Sequence, residues 1–145
     1  MAIKVGGTTV IDDSRNLTSI ASATLTGTLQ TQKIAETLVA VGNSGTAATL
    51  NLSSGTVFTV TLNGNATLTI TNPTNVASFM LILTNDATPS RTVAFAGSGA
   101  SFKFAGGAAA LTRTTTAAGI DIWVFFSPDG GTTYYGNIAM KNMIA

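Results

Sequence analysis

The chain has 145 residues, 45% of them apolar and only 9% charged, with a formal net charge of +1 and neither histidine nor cysteine. That length suits one domain plus an added segment, and the apolar share supports a core, which excludes an intrinsically disordered chain. Charge this sparse, against about 25% in ordinary domains, excludes a coiled coil, and basic residues scattered from Lys4 to Lys141 make neither nucleic acid nor an anionic membrane an expected partner.

No apolar run follows Lys4, so no signal peptide is expected at the start. Ile3–Val5 and Thr8–Ile11 read as short strands about a Gly6–Gly7 turn, and Asp12, Asp13 and Ser14 as a helix cap. Leu17, Ile20, Leu25 and Leu29 fit neither helical nor strand spacing. Thr24, Thr26 and Thr28 alternate with Leu25, Gly27 and Leu29 as an extended strand would, and residues 30–38 predict one helical turn. Residues 1–36 are therefore expected to form an extended N-terminal arm that does not fold alone, and residues 37–145 the domain. The other reading is an ordered lobe of the same domain. Val10, Ile11, Arg15, Leu17 and Ile20 are the arm's candidate partner contacts.

From Thr37 onward strand signals follow one another: 38–41, 49–52, 57–62, 67–71, 78–84, 91–96, 101–104, 119–127 and 133–139. Asn63–Asn65 has hairpin character, Asn72–Pro73 stops a strand, and Pro128–Gly131 is a tight turn. Short strands at even spacing, rich in β-branched Thr, predict an all-β fold: a jelly-roll-like antiparallel sandwich of about eight strands with the N-terminal arm.

Two runs, Phe79–Leu83 and Ile122–Phe126, are apolar on both faces, although an antiparallel sheet with one wet face should alternate. Both are far shorter than the roughly 18 residues of a membrane helix. Either the arm or a loop covers the outer face, or another subunit does; the second reading is favoured. It makes Phe79, Leu81, Leu83, Trp123 and Phe125 candidate self-association residues. No side chain between Glu36 and Asp86 is charged, which a solvated sheet tolerates best when neighbours bury it.

Catalysis has little to draw on. Without His or Cys the commonest general base and the most reactive nucleophile are missing. The acids Asp12, Asp13, Glu36, Asp86, Asp121 and Asp129 form no metal-ligand spacing, and Asp121 and Asp129 suit local hydrogen bonding at a strand start and a turn. A calcium site would have to combine Asp86 with loop carbonyls. Gly6–Gly7 and Gly106–Gly107 lack the context of a phosphate cradle. Neither an enzyme, a cofactor nor a metal is expected. Tyr134 and Tyr135 follow a turn, so one points outward, either pairing across the hairpin with the 120–127 strand or stacking on a sugar ring.

The stretch Lys4–Leu17 resembles an opening found in tail-fibre-like and other structural proteins of tailed bacteriophages, notably phages of cyanobacteria and other aquatic bacteria. Val57–Leu62, Thr67–Pro73, Phe79–Thr84, Arg91–Val93 and Asp129–Gly136 resemble a module of phage virion proteins. The resemblance implies a structural protein made in the host cytoplasm, located on the virion surface, commonly a homotrimer, and without catalytic residues. Relatives with this opening are often longer; one arm with one compact domain suits a capsid decoration, or cement, protein whose partners are further copies and the major capsid protein. The alternative is a short tail-fibre tip that recognises host glycan through Tyr134 and Tyr135. Thr-x-Thr rows also suit an ice-ordering surface, against which stands the lack of a solenoid repeat.

Overall fold

The computed structural model describes residues 3–5, 8–11, 34–108 and 112–144. The chain divides into two units, Met1–Ile34 and Ala35–Ala145. In the first, β1 (Ile3–Val5) pairs antiparallel with β2 (Thr8–Ile11), as expected. The expected cap at residues 12–14, the extended stretch 24–29 and residues 30–33 of the expected helical turn lie outside the described residues. Residues 34–37 have no regular structure, so that turn does not continue into them.

The described residues of the second unit form nine strands: β3 (Leu38–Asn43), β4 (Ala47–Asn51), β5 (Val57–Leu62), β6 (Ala66–Thr71), β7 (Ala77–Asn85), β8 (Val93–Ala96), β9 (Ser101–Phe104), β10 (Ile120–Ser127) and β11 (Thr133–Met143). No α-helix occurs among the described residues. β3, β5 and β7 lie side by side and parallel in one sheet, while β4, β6 and β8 lie side by side and parallel in another. The chain thus winds through three rungs, changing sheet at every corner. β10 then adds antiparallel to β7, β11 antiparallel to β10, and β9 parallel to β11. The sheet orders are β3-β5-β7-β10-β11-β9 and β4-β6-β8.

The expectation of an antiparallel arrangement is corrected: five of the seven pairings in this unit are parallel. The reason lies at the corners. Asn63–Asn65 reads as a hairpin turn, yet it joins strands of different sheets. Its amides bind neighbouring rungs instead: Asn63 Oδ1 accepts the Gly45 N–H at 2.8 Å, and Asn65 Oδ1 accepts the Thr92 N–H at 3.0 Å. A Cβ at Gly64 would stand 2.6 Å from the Gly45 carbonyl oxygen, so these corners stack backbone to backbone. At the other side Asn72 Nδ2 donates to Asn51 Oδ1 at 2.9 Å. Asparagine thus serves stacking between corners as well as tight turns. The Pro128–Gly131 turn does make a hairpin, placing Phe126 opposite Tyr135.

Both sheets supply one core. Leu50, Leu68 and Ile70 come from the three-stranded sheet, and Phe58, Val60, Leu62, Leu81 and Leu83 from the six-stranded one. Phe95 on β8 crosses between them, its ring centroid 5.1 Å from Trp123 and 4.9 Å from Phe125. Phe79 stacks on Phe125 at 4.9 Å, and Phe102 on Tyr134 at 5.0 Å. Such aromatic pairs add roughly 0.5–1.5 kcal/mol each beyond area burial. Gly136 admits this packing: a Cβ there would lie 2.7 Å from atoms of both Phe104 and Phe125.

A polar cluster holds the loops beyond β7. The buried Asp121 carboxylate accepts the Thr114 N–H at 2.7 Å and the Asn142 N–H at 3.0 Å. Buried Asn85 donates to the Thr114 and Thr116 carbonyls at 3.1 and 2.8 Å and accepts from Arg113 at 2.9 Å. Arg113 also donates to the Thr114 and Arg91 carbonyls, and desolvation lowers its pKa, partly opposed by Asp121. Arg91 pairs with Asp86 at 3.2 Å. Leu81→Ala, at a fully buried position, is expected to cost about 2–5 kcal/mol in chemical denaturation. Met80→Ala, one residue away on the opposite face, is expected to change stability by only roughly 0.5 kcal/mol.

Candidate interaction face

Strand alternation sends successive side chains of the six-stranded sheet to opposite faces. On β7 and β10 the odd-numbered Phe79, Leu81, Leu83, Trp123 and Phe125 point into the core and are at most 5% exposed. The expectation that these five mediate self-association is therefore corrected, because each is already buried in the core. The even-numbered partners make the outer face: Met80 and Val124 are 38% exposed, Phe126 44% and Met140 51%. Ile82 and Ile122, between them, are half-buried.

The register assembles these residues into rows. Leu38, Val57, Met80 and Val124 are successive cross-strand neighbours, as are Ala40, Thr59, Ile82 and Ile122, with Met140 next. Phe126 stands opposite Ser78 on one side and Tyr135 on the other. An apolar surface therefore crosses five adjacent strands, from the exposed Leu38 at the edge to Met140, with no charged side chain in its rows. Charge enters at the β9 margin, where Lys103 Nζ sits 5.7 Å from the Tyr135 ring centroid. A shallow groove of about 510 Å³ runs there among Lys103, Val124, Phe126, Tyr135 and Asn137. A second depression of about 260 Å³ lies between Val57, Met80 and Val124, with Glu36 at its rim.

The other sequence-level candidates distribute unevenly. Val10 and Ile11 lie on β2, while Arg15, Leu17 and Ile20 fall outside the described residues. Tyr135 is 48% exposed and pairs across the hairpin with Phe126, but Tyr134 is 1% exposed, so it presents no ring face to a sugar. Met80, Val124 and Phe126 were legible only as members of two-faced runs; Leu38 was read only as part of the strand 38–41, and Met140 lay just past the expected strand 133–139. Nothing in β10 marks its phase, since the inward set includes Asp121 and Ser127, polar residues that the fold satisfies internally.

The acids near this unit's turns have structural partners. Asp129 accepts the Thr133 N–H at 2.8 Å, the main reason its pKa is lowered. The Arg91 hydrogen bond lowers that of Asp86, and Thr56 donates to Glu36. Among the described residues no three potential ligand side chains gather as a metal site. Burial, with Asp129 adding to it, raises the Tyr134 pKa above the ordinary 10.0. The folded state therefore favours the neutral phenol, a stabilisation complete below pH 10 and lost as pH rises through the raised value. An alkaline titration of tyrosinate absorbance is expected to show a phenol ionising above that value, and Tyr134→Phe to remove it. No protein-family model, curated protein or solved structure matches this chain.

Proposed function

We propose that this chain is a structural assembly module, a two-layer β-sandwich that joins further copies of itself through the outer face of the six-stranded sheet. The observation that carries this reading is that face: apolar across five strands and without charge in its rows. Exposed apolar surface in one patch drives association, and an uncharged face meets least desolvation cost against another uncharged face. The copies of this chain supply such a face at equal concentration.

The size of the face bears on the reading. Strands about 4.8 Å apart, rising about 3.3 Å per residue, give a six-stranded sheet a projected area on the order of 500 Å². A standard interface buries about 800 Å² per partner. Side-chain relief makes the accessible area of such a face larger than its projection, so this face approaches what a standard interface needs. In the proposed role residues 1–36 add a second contact surface, with the resemblance to phage structural proteins as support for the setting: a homotrimeric decoration protein on a phage head, reaching across capsid subunits. Its action is mechanical, adding buried area across subunit seams against the pressure of the packaged genome. An arm that orders on binding loses conformational entropy, which its contacts must exceed.

Light scattering of the purified chain is expected to give an oligomeric mass that falls to the monomer in Val124→Lys, with thermal stability preserved. A wild-type monomer at high concentration would overturn the reading. Removing residues 1–36 is expected to abolish binding to undecorated capsids, and retained binding would remove the arm from it.

A further inference from the structure

β8 ends the three-stranded sheet and β9 ends the six-stranded one, and a cavity of about 320 Å³ lies among the side chains where the two sheets stop. Its lining is mostly aromatic: Phe95 from β8, Phe102 and Phe104 from β9, and Trp123 from β10, with Val93 beside them. The Phe95 ring centroid stands 6.0 Å from that of Phe102 and 5.1 Å from that of Trp123, and Phe104 stands 6.2 Å from Trp123. The rings therefore hold one another around the cavity. Arg113, from the segment before β10, is the one charged side chain among the described lining residues.

Three buried side-chain polar atoms have no hydrogen-bond partner among the described residues: Trp123 Nε1, Thr114 Oγ1 and Arg91 Nε. All three belong to residues tied to Arg113, which shares the cavity lining with Trp123 and donates to the carbonyls of Thr114 and Arg91. Buried polar groups are normally paired, and one without a partner has lost its hydration with nothing in return. Trp123 is 3% exposed, so bulk water does not serve its N–H. The Arg113 guanidinium makes its described hydrogen bonds to neutral oxygens only, those of Asn85, Thr114 and Arg91. Asp121 attracts it through space, but the Asp121 oxygens accept from the backbone N–H groups of Thr114 and Asn142. Arg113 has thus given up water without gaining a hydrogen-bonded anion.

The polar side chains of the lining are donors, an indole N–H and a guanidinium, set among Val93, alanines and phenylalanines that offer no acceptor. A ligand hydroxyl or amide would bring a donor of its own that no lining side chain could receive. An ionised carboxylate only accepts, and it binds charged donors more strongly than a neutral acceptor does. We infer that this cavity binds a small apolar carboxylate, an aromatic or short aliphatic acid, its body among Phe95, Phe102 and Phe104 and its oxygens accepting from Trp123 Nε1–H and Arg113. The volume falls at the small end of the range for such sites, which suits a ligand of one ring or a short chain. The cavity shares no residue with the proposed self-association face, so it stands or falls independently of assembly.

Trp123 is the chain's one tryptophan, so the isotope-labelled full chain gives a single indole N–H signal in NMR. Titration with benzoate, phenylacetate and hexanoate is expected to show saturable binding of at least one, with that signal moving downfield. The corresponding amide is expected to bind about tenfold more weakly, for loss of the charge-assisted bond. By ligand saturation transfer, Trp123→Phe is expected to weaken the acid about three- to tenfold, the loss of one hydrogen bond. Val93→Phe, which fills the cavity, is expected to abolish binding with thermal stability retained, and Val124→Lys to bind as the wild type does. The comparison of acid with amide on the wild-type chain holds whether or not a variant folds. Absence of saturable binding by every acid would overturn the inference. So would binding that leaves the indole signal unmoved or persists in Val93→Phe, which places the acid elsewhere, and so would amides that bind as tightly as the acids.

Discussion

The packing of Phe95 from the three-stranded sheet against Trp123 and Phe125 of the six-stranded sheet decides most of what this protein presents to its surroundings. Once those rings face inward, β10 has a fixed phase, and its register with β7 fixes that strand as well. A slip of one residue would send every side chain to the other face. The consequence appears on the opposite side, where Met80, Ile82, Ile122, Val124 and Phe126 have nowhere else to go. Core packing and the apolar outer face are thus two results of one constraint. A sheet made of two-faced runs cannot bury one set without displaying the other.

The rest of the unit keeps that sheet in place without adding charge to the face. Asp121, Asn85 and Arg113 take their hydrogen bonds inside the cluster beyond β7, and Arg91 and Asp86 pair beside it. Breaking one partner of such a cluster leaves a buried polar group unpaired, at a cost of about 1–3 kcal/mol. The corners use asparagine amides and a close approach of Gly64 to Gly45 to stack rung on rung. Edge strands β3 and β4 contain no charged residue or proline, the usual deterrents to edge pairing, although the register of β3 against β5 shifts between Ala40 and Gly42.

Strand positions were legible because β-branched and aromatic alternation survives in Val57–Leu62 and Ala66–Thr71, and Pro128–Gly131 announces a true hairpin. Parallel coiling was not legible. Leu38 pairs with Val57, 19 positions on, and Val57 with Met80, 23 on, while Ala66 pairs with Val93, 27 on. Rungs of such unequal length leave no repeat in the sequence, and the asparagines at their corners imitate hairpin turns. The missing repeat that argued against a solenoid therefore reflects uneven corners; a three-rung coil is present. The existence of a two-faced sheet could be read from Phe79–Leu83 and Ile122–Phe126. Which face lay outward could not, because Asp121 and Ser127 share the buried phase with Trp123 and Phe125, and hydropathy alone favours the reverse. Tyr134 was equally silent: its neighbour Tyr135 has the same chemistry, and only the register separates a core ring from an exposed one.

The central claim is that copies of this chain cover the outer face of the six-stranded sheet. Its most direct test uses the methyl groups of Met80 and Met140, both of which lie on that face. With methionine methyls labelled, NMR in the presence of a soluble paramagnetic agent reports their contact with solvent. The account predicts that both signals are bleached in dilute solution and become protected as concentration rises. Bleaching that persists unchanged at the highest concentration reached would contradict it.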